Sequence, residues 1–418
     1  MSDEPSPPSA SSFRALLKQR DFAWFWLARW TAVLAVQIES VALGWQIYEI
    51  ARRTMDVKRA AFMVSLIGLV SFIPVLLLAL PAGETADRHD RKGILLFCYA
   101  AEIASVAVLL AGAVMGFSTI PILLGVAFVF GAARAYFSPA STAMGPMLVP
   151  RELLPRAIAW NSLAWQTASV AGPAVGGLLI ALSTGHAYGA ALILYGVATV
   201  CSLLIRGSTQ PTVQPGSRWS LMKEGLAYVW RNKIVFGSIS LDLAAVILGG
   251  ATALLPVFAK DVLHIGPEGF GLLRAAPSVG AAIVALYLAS NPIRSKAGIA
   301  MFTGVAIFGA ATFVFGVSKI LWLSLLALAL LGAGDAVSVY IRQTLVQLVT
   351  PDHMRGRVAT VSSLFIGASN ELGEFESGVV ARFLGPVGAA VFGGVGALTV
   401  TAIWAKLFPA LRKADRLD

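Results

Sequence analysis

The chain is a succession of apolar runs, each long enough to cross a bilayer, separated by short turns that hold most of its charge. A spanning helix needs about 20 predominantly apolar residues. Twelve such runs occur, at roughly 22–50, 60–82, 93–117, 119–148, 157–183, 186–207, 234–258, 269–290, 298–318, 320–345, 357–381 and 386–408. Inside lipid a backbone must satisfy its own polar groups, and runs of this length do so as helices. Composition agrees: 57% of residues are hydrophobic and only 13% charged, against about a quarter charged in a soluble domain. The expected fold is all-α and integral to the membrane.

Charge distribution orients the runs. An even number of spans puts both termini on one side. Of 32 Lys and Arg, 21 fall in tails, loops and span ends on that side and 7 on the other, with Arg29, Arg134, Arg274 and Arg342 deeper in spans. Positive loops face the cytoplasm, so both termini are expected inside, in a cell inner (plasma) membrane. The loop with Arg52, Arg53, Lys58 and Arg59 departs from this pattern. The net charge of +10 is thus topogenic, and no nucleic-acid partner is expected. Cys98 and Cys201 sit in separate runs and imply neither a disulfide framework nor a zinc site. The Ser- and Pro-rich start has no apolar core and is not a signal peptide.

The longest interior polar stretch, 208–233, opens as a linker. It then places Trp219, Met222, Leu226, Val229 and Trp230 at helical spacing among Arg and Lys, as in an interfacial helix. The expected divisions are a cytoplasmic tail over 1–20, a six-helix bundle over 21–207, this linker, a second bundle over 234–409 and a tail over 410–418. An internal repeat supports two halves. A shift of 201 residues lays 131–180 over 332–381 without a gap. It matches Gly131, Ala132, Ala135, Pro150, Arg156, Gly172 and Gly177 with Gly332, Ala333, Ala336, Pro351, Arg357, Gly373 and Gly378. Small residues of this kind let membrane helices approach closely, and parallel repeats of six spans are one known transporter plan.

Between the second and third runs lies Gly83-Glu84-Thr85-Ala86-Asp87-Arg88-His89-Asp90-Arg91-Lys92. Gly83, Asp87, Arg88, Arg91 and Lys92 resemble the G-x-x-x-D-R-x-x-R-K signature of the major facilitator superfamily, with Asp90 in place of the commoner Gly. Gly172-Pro173-Ala174-Val175-Gly176-Gly177 resembles the G-P-x-x-G-G core of that family's antiporter signature, with Ala168 where Gly is usual. The stretch from Gly131 to Asn161, with Gly332-Ala333-Gly334-Asp335, Thr350-Pro351-Asp352 and Arg355-Gly356-Arg357 in the second half, is similar to the enterobactin-exporter or secretion-effector branch. The resemblance covers nearly the whole chain. It implies two pseudo-symmetric bundles around a central site and a conformational latch at the basic turn. Asp87 would then face the start of span 11, and the Arg residues would pair with carboxylates or lipid phosphate. The glycine motif favours export over uptake.

A charge at mid-bilayer costs at least about 2.5–3.5 kcal/mol, so it needs a partner or a wet cavity. Proton coupling needs a group whose charge changes as access alternates. The four histidines fall in loops or at span ends, which leaves carboxylates: Glu39, Asp242 and Asp335 first, then Glu371 and Glu374. Arg134 and Asp335 are repeat equivalents of opposite sign and could pair across the bundle interface, which sequence by itself does not show. Arg29, Arg134 and Arg274 suit an anionic substrate, and aromatics such as Tyr136 and Phe365 suit a planar one. Neither a phosphate-binding G-x-x-x-x-G-K-[ST] loop nor an H-E-x-x-H motif occurs, so an enzyme, a metal and a cofactor are not expected. The function expected is a monomeric, proton-coupled exporter of a siderophore or drug-like amphiphile. Its partners would be that small molecule, protons and membrane lipid. Symport, lysolipid facilitation and a transporter-shaped receptor are the alternatives.

Overall fold

The computed structural model describes residues 16, 18–210, 218–293 and 295–414. Residues 1–15 and 17 of the expected tail over 1–20, 415–418 of that over 410–418 and linker residues 211–217 lie outside the described residues, as do the side chains of Trp219 and His353. The helices are α1 (Arg20–Arg52), α2 (Val57–Arg88), α3 (Arg91–Met115), α4 (Ile120–Met144), α5 (Leu154–Leu182) and α6 (Thr184–Leu203). There follow α7 (Arg218–Arg231), α8 (Lys233–Gly249), α9 (Pro267–Ser290), α10 (Ala297–Val317), α11 (Leu321–Val349), α12 (Asp352–Leu407) and the short α13 (Pro409–Arg412).

By length and apolarity alone, ten helical segments among the described residues can cross a membrane. Two features separate ten from twelve. The 33-residue α1 carries Arg29, Glu39 and Glu49, which lower its apolarity. The 56-residue α12 would rise about 84 Å if continuous, far more than a bilayer. It is two helices joined across Gly385, whose φ of 80° is open to glycine, with Pro386 next. The expected seventh span is also not one regular helix. After Gly249 the chain runs through a 3-10 turn (Ala251–Leu254), a single α turn and a π-helical turn (Phe258–Val262). A side chain at Gly250 would meet the α12 backbone at Gly373, so close packing of these helices accompanies the break.

The two halves repeat one packing scheme. In the first, α2 packs on α4, α4 on α3, α3 on α6, and α1 on both α5 and α6. In the second, α9 packs on α11, α11 on α10, and α10 and α8 on α12. The matched glycines show the same relationship atom by atom. Gly131 lets α4 meet the α2 backbone at Ser71, and Gly332 lets α11 meet the α9 backbone at Pro277. Gly172 meets Gln37 of α1, as Gly373 meets Val246 and Ile247 of α8. Gly177 meets Gly271 of α9, and Gly378 meets Ser65 of α2. The last pair are the crossings between bundles, where α5 lies along α9 and α2 along α12.

The helix α7 forms at the expected place but buries a different stripe. Val229 packs into a small cluster with Val235, Ile239, Val346, Val358 and Val361, joined by Met222 and Tyr228. The Tyr228 hydroxyl donates to the carbonyl of Val349 at 2.8 Å. Leu226 and Trp230 remain exposed, and Trp230 stacks on Phe236 at 4.7 Å. Exposed apolar rings beside charged neighbours are the pattern of a helix lying in an interface.

Candidate functional site

A cavity of about 190 Å³ opens inside the first bundle. Helical spacing puts one stripe of each helix on its wall. Arg29, Val33 and Val36 come from α1; Arg134, Phe137, Ser138 and Ser141 from α4; Cys98, Tyr99 and Glu102 from α3. Trp165 of α5 and Tyr195 of α6 complete it. The Arg29 guanidinium donates from Nη1 to Ser141 Oγ at 3.3 Å, while its buried Nε has no hydrogen-bond partner. Basic groups and aromatic faces therefore line one space. Of the expected cavity residues, Arg29 and Arg134 are here. Tyr136 packs against the main core, Phe365 packs beside the α7 cluster, and Arg274 lies in the second bundle.

Behind this wall lie carboxylates. Glu39 is 1% exposed, and Tyr195 donates its hydroxyl to Glu39 Oε2 at 3.1 Å. Glu39 Oε1 and Glu102 Oε2 are buried without a hydrogen-bond partner. Seven residues along each helix from that contact, Tyr188 donates to Gln46 Oε1 at 2.7 Å, and Gln46 donates to Ser118 Oγ at 3.1 Å. Two rungs of polar groups thus join α1 to α6. Sequence reasoning did not place Glu102 on the cavity. It missed Tyr195, because a tyrosine in a span carries no sign of the face it occupies.

At the bundle interface, Arg134 Nη1 pairs with Glu371 Oε1 at 2.7 Å, and Ser71 donates to Glu371 Oε2 at 3.2 Å. One turn on, Glu374 faces its own bundle: Thr252 donates to it at 3.0 Å, and Arg274 stands 3.7 Å away. The pairing of Arg134 with Asp335 that the repeat left open does not form. The helices that meet across the interface are α2 with α12 and α5 with α9, rather than the α4 and α11 that carry these residues. Asp335 instead faces Asp242 and Arg342 within the second bundle. There Arg342 and Asp242 form an ion pair whose side chains are 1% and 7% exposed.

The end of the molecule holding the α1–α2 turn is tied across the bundles. Arg52 pairs with Asp261 at 3.1 Å, Tyr48 donates to the same carboxylate, and Lys260 pairs with Glu49 at 2.8 Å. Lys58 donates to the carbonyl of Phe383 at 2.9 Å, and Trp45 stacks on Phe270 at 5.5 Å. Arg52 and Lys58, basic residues that broke the charge pattern, therefore act as ties between the bundles.

At the other end, the basic turn holds the first bundle together. Asp90 caps α3 by accepting from the backbone N–H of Gly93 at 3.2 Å, and it accepts from the Thr209 hydroxyl. Arg91 donates to the carbonyl of Ala143 at the end of α4 at 2.9 Å. Lys92 donates to those of Leu203 and Ile205 at the end of α6. These cations thus meet helix C-termini, where the dipole favours positive charge. Arg88 does pair with a carboxylate, Glu84, at 2.8 Å. Gly83 is buried in the penultimate turn of α2, and Asp87 lies in its last turn. In the glycine motif of α5, Gly172 and Gly176 lie against α1, and Gly177 forms the α9 crossing.

The model of the transmembrane secretion effector family matches residues 10–418. The enterobactin exporter EntS of Citrobacter koseri is 27% identical over 400 residues, covering 94% of this chain and 92% of that protein. The enterobactin exporter EntS of Shigella boydii serotype 18 is 26% identical over 398 residues, with the same coverage. In fold, the chain is similar to a POT family transporter solved in complex with 5-aminolevulinic acid. The TM-score is 0.74 at 11% identity, over 94% of this chain and 96% of that one. These relatives and neighbours are transporters rather than enzymes. The chain belongs to the transmembrane secretion effector family, within the major facilitator superfamily, and is a multi-pass membrane protein.

Proposed function

We propose that this family member is a proton-coupled exporter of a small molecule, working by alternating access between bundles spanning 21–207 and 234–409, with 208–233 as the linker. One observation carries the proposal. The cavity runs from mid-helix positions such as Tyr195 toward the α2–α3 end, at Thr142, while the α1–α2 end is tied across the bundles by the Arg52–Asp261 and Lys260–Glu49 pairs. That is the geometry of a carrier loading from one side. The basic residues concentrated at the α2–α3 end make that side the cytoplasm, with both termini there and the carrier monomeric in the inner membrane.

Glu39 is the leading proton carrier, since it is buried beside the cavity and has no basic partner among its hydrogen bonds. Asp335, Asp242, Glu371 and Glu374 follow it. A proton arriving from outside neutralises a cavity carboxylate and favours the return stroke, and substrate leaves on the opposite one. The substrate is a siderophore-like or drug-like amphiphile. The chain's likeness to the enterobactin exporters supports the first, and the aromatic wall accommodates either. Gly83, Asp87, Arg88, Arg91 and Lys92 form the latch that governs opening at the cytoplasmic end. The Gly172-Pro173 and Gly176-Gly177 crossing is the pivot of the antiport stroke.

Reconstitution into proteoliposomes with an internal pH dye and an imposed pH gradient tests this. Addition of substrate to the wild type is expected to evoke proton movement opposite to substrate. Glu39→Gln is expected to abolish that movement while the protein stays folded. Absence of substrate-dependent proton flux in the wild type would end the coupling claim. Higher retention of a fluorescent amphiphile in cells lacking the protein is the expected sign of export.

A further inference from the structure

Arg134 belongs to two sites at once. Its guanidinium lines the cavity of the first bundle, and its Nη1 pairs with Glu371 of the second at 2.7 Å. Half of the Arg134 side chain is exposed, so a ligand can reach it, whereas Glu371 is 14% exposed and held by Ser71 from α2. Arg29, whose buried Nε has no hydrogen-bond partner, lines the same cavity. Phe137 and Trp165 supply flat apolar walls. The nearby Glu374 has separate partners in its own bundle, Thr252 and Arg274, so Glu371 alone of the two carboxylates bridges the halves at mid-membrane.

We propose that Glu371 is an internal stand-in for the substrate's anionic group, and that the Arg134–Glu371 pair is a lock opened by ligand exchange. An aromatic anion entering the cavity takes the guanidinium from Glu371, with its ring against Phe137 and Trp165 and its charge shared by Arg134 and Arg29. Guanidinium binds carboxylate or another planar oxyanion through matched donors, so the exchange replaces one such contact with another. The α4–α12 tie at the midplane is lost in the process. Glu371 keeps only the Ser71 hydroxyl, and an ionised carboxylate so placed is costly in the membrane. That cost falls when α12 separates from α2 and water reaches the carboxylate, which turns occupancy of one bundle into movement of the other. A neutral ligand of the same shape lacks the means to displace Glu371 and leaves the lock closed.

The inference rests on the transporter reading but is tested by binding alone, independently of proton coupling or direction. The probe is 1-naphthoate, with 1-naphthamide as its neutral isostere, titrated against the full-length protein in nanodiscs. Glu371→Gln removes the internal competitor and is expected to bind naphthoate about tenfold more tightly than wild type, with naphthamide unchanged. Ser71→Ala is expected to act in the same direction by a few-fold, and Arg134→Gln to weaken naphthoate about tenfold or more. In a Lys58→Cys, Leu384→Cys double variant across the α1–α2 end, naphthoate and not naphthamide is expected to slow disulfide formation. Each variant is first checked for a wild-type elution profile and thermal midpoint. No naphthoate binding to either wild type or Glu371→Gln, or equal affinity in the two, overturns the proposal. If these shifts occur while transport assays show no export, the lock stands and the exporter reading falls.

Discussion

The two bundles share one architecture and spend their charges in opposite ways. The first is hollow: its intramembrane Arg29, Glu102 and Arg134 line a cavity, and Glu39 lies behind the wall with one carboxylate oxygen unpartnered. In the second, Asp242 and Arg342 form a buried ion pair in the interior, beside Asp335. Even repeat-equivalent positions diverge, with Arg134 reaching across to the other bundle and Asp335 turned inward. Duplication therefore preserved the backbone crossings while the polar side chains took on separate roles. The first bundle sets its charges on a cavity wall, and the second pairs its own inside, with Glu371 meeting Arg134 across the interface.

That division is most directly broken at Arg342. Removing one partner of a buried pair strands the other charge, so Arg342→Met alone is expected to destabilise the protein by about 3–5 kcal/mol. Asp242→Leu combined with Arg342→Met is expected to recover most of that loss, read as the thermal midpoint in detergent. Recovery of stability together with transport would establish this pair as structural scaffold; loss of coupling in the stable double variant would move the proton site into the second bundle. Glu39→Gln offers the contrast. Glutamine can still accept from Tyr195, so the expected change is within about 1 kcal/mol, the scale of a single net hydrogen bond, even as coupling is lost.

The crossings come next. A Cβ on Gly177 would stand 2.7 Å from Gly271 Cα, and overpacking of this kind costs about 1–3 kcal/mol. Gly177→Val and Gly378→Val are both expected to lower the thermal midpoint and slow transport, because they sit at equivalent inter-bundle crossings. Gly196→Val, where a Cβ meets nothing within 4 Å, is the neutral control. An effect at only one of the two crossings would show that the pivot is asymmetric. The smallest effect is expected at the basic turn. Lys92→Met removes a cation from the C-terminus of α6, worth about 0.3–1 kcal/mol, and the loss should shrink as salt is raised.

Much of the fold was legible in the order of residues because its causes are local. Apolar length, the basic turn after α2 and the 201-residue shift are each visible in a short window, and the shift identified glycines that make equivalent contacts in space. The ends of order were harder to see. The break after Gly249 and the displaced buried stripe on α7 follow from what packs against them: α12 in the first case, and the Val235–Val361 cluster in the second. The site was legible as a set of intramembrane charges and illegible as a set of partners. Arg29 and Arg134 were named as cavity candidates and line the cavity, whereas Glu102 was not placed there and the pairing of Arg134 with Glu371 was not foreseen.

Sequence alone determined that this chain lives in a bilayer, that it is two related halves, and which few charges it carries into the membrane. These follow from transfer energies and spacing, which are additive along the chain. Tertiary structure decided which charges meet: Arg134 with Glu371, Arg342 with Asp242, and Glu39 with a tyrosine alone. The reason is geometric. A hydrogen bond or ion pair requires approach within a few ångströms, and the rotation of each helix about its own axis, fixed by close-packed contacts such as Gly177 on Gly271, decides which side chains come that near.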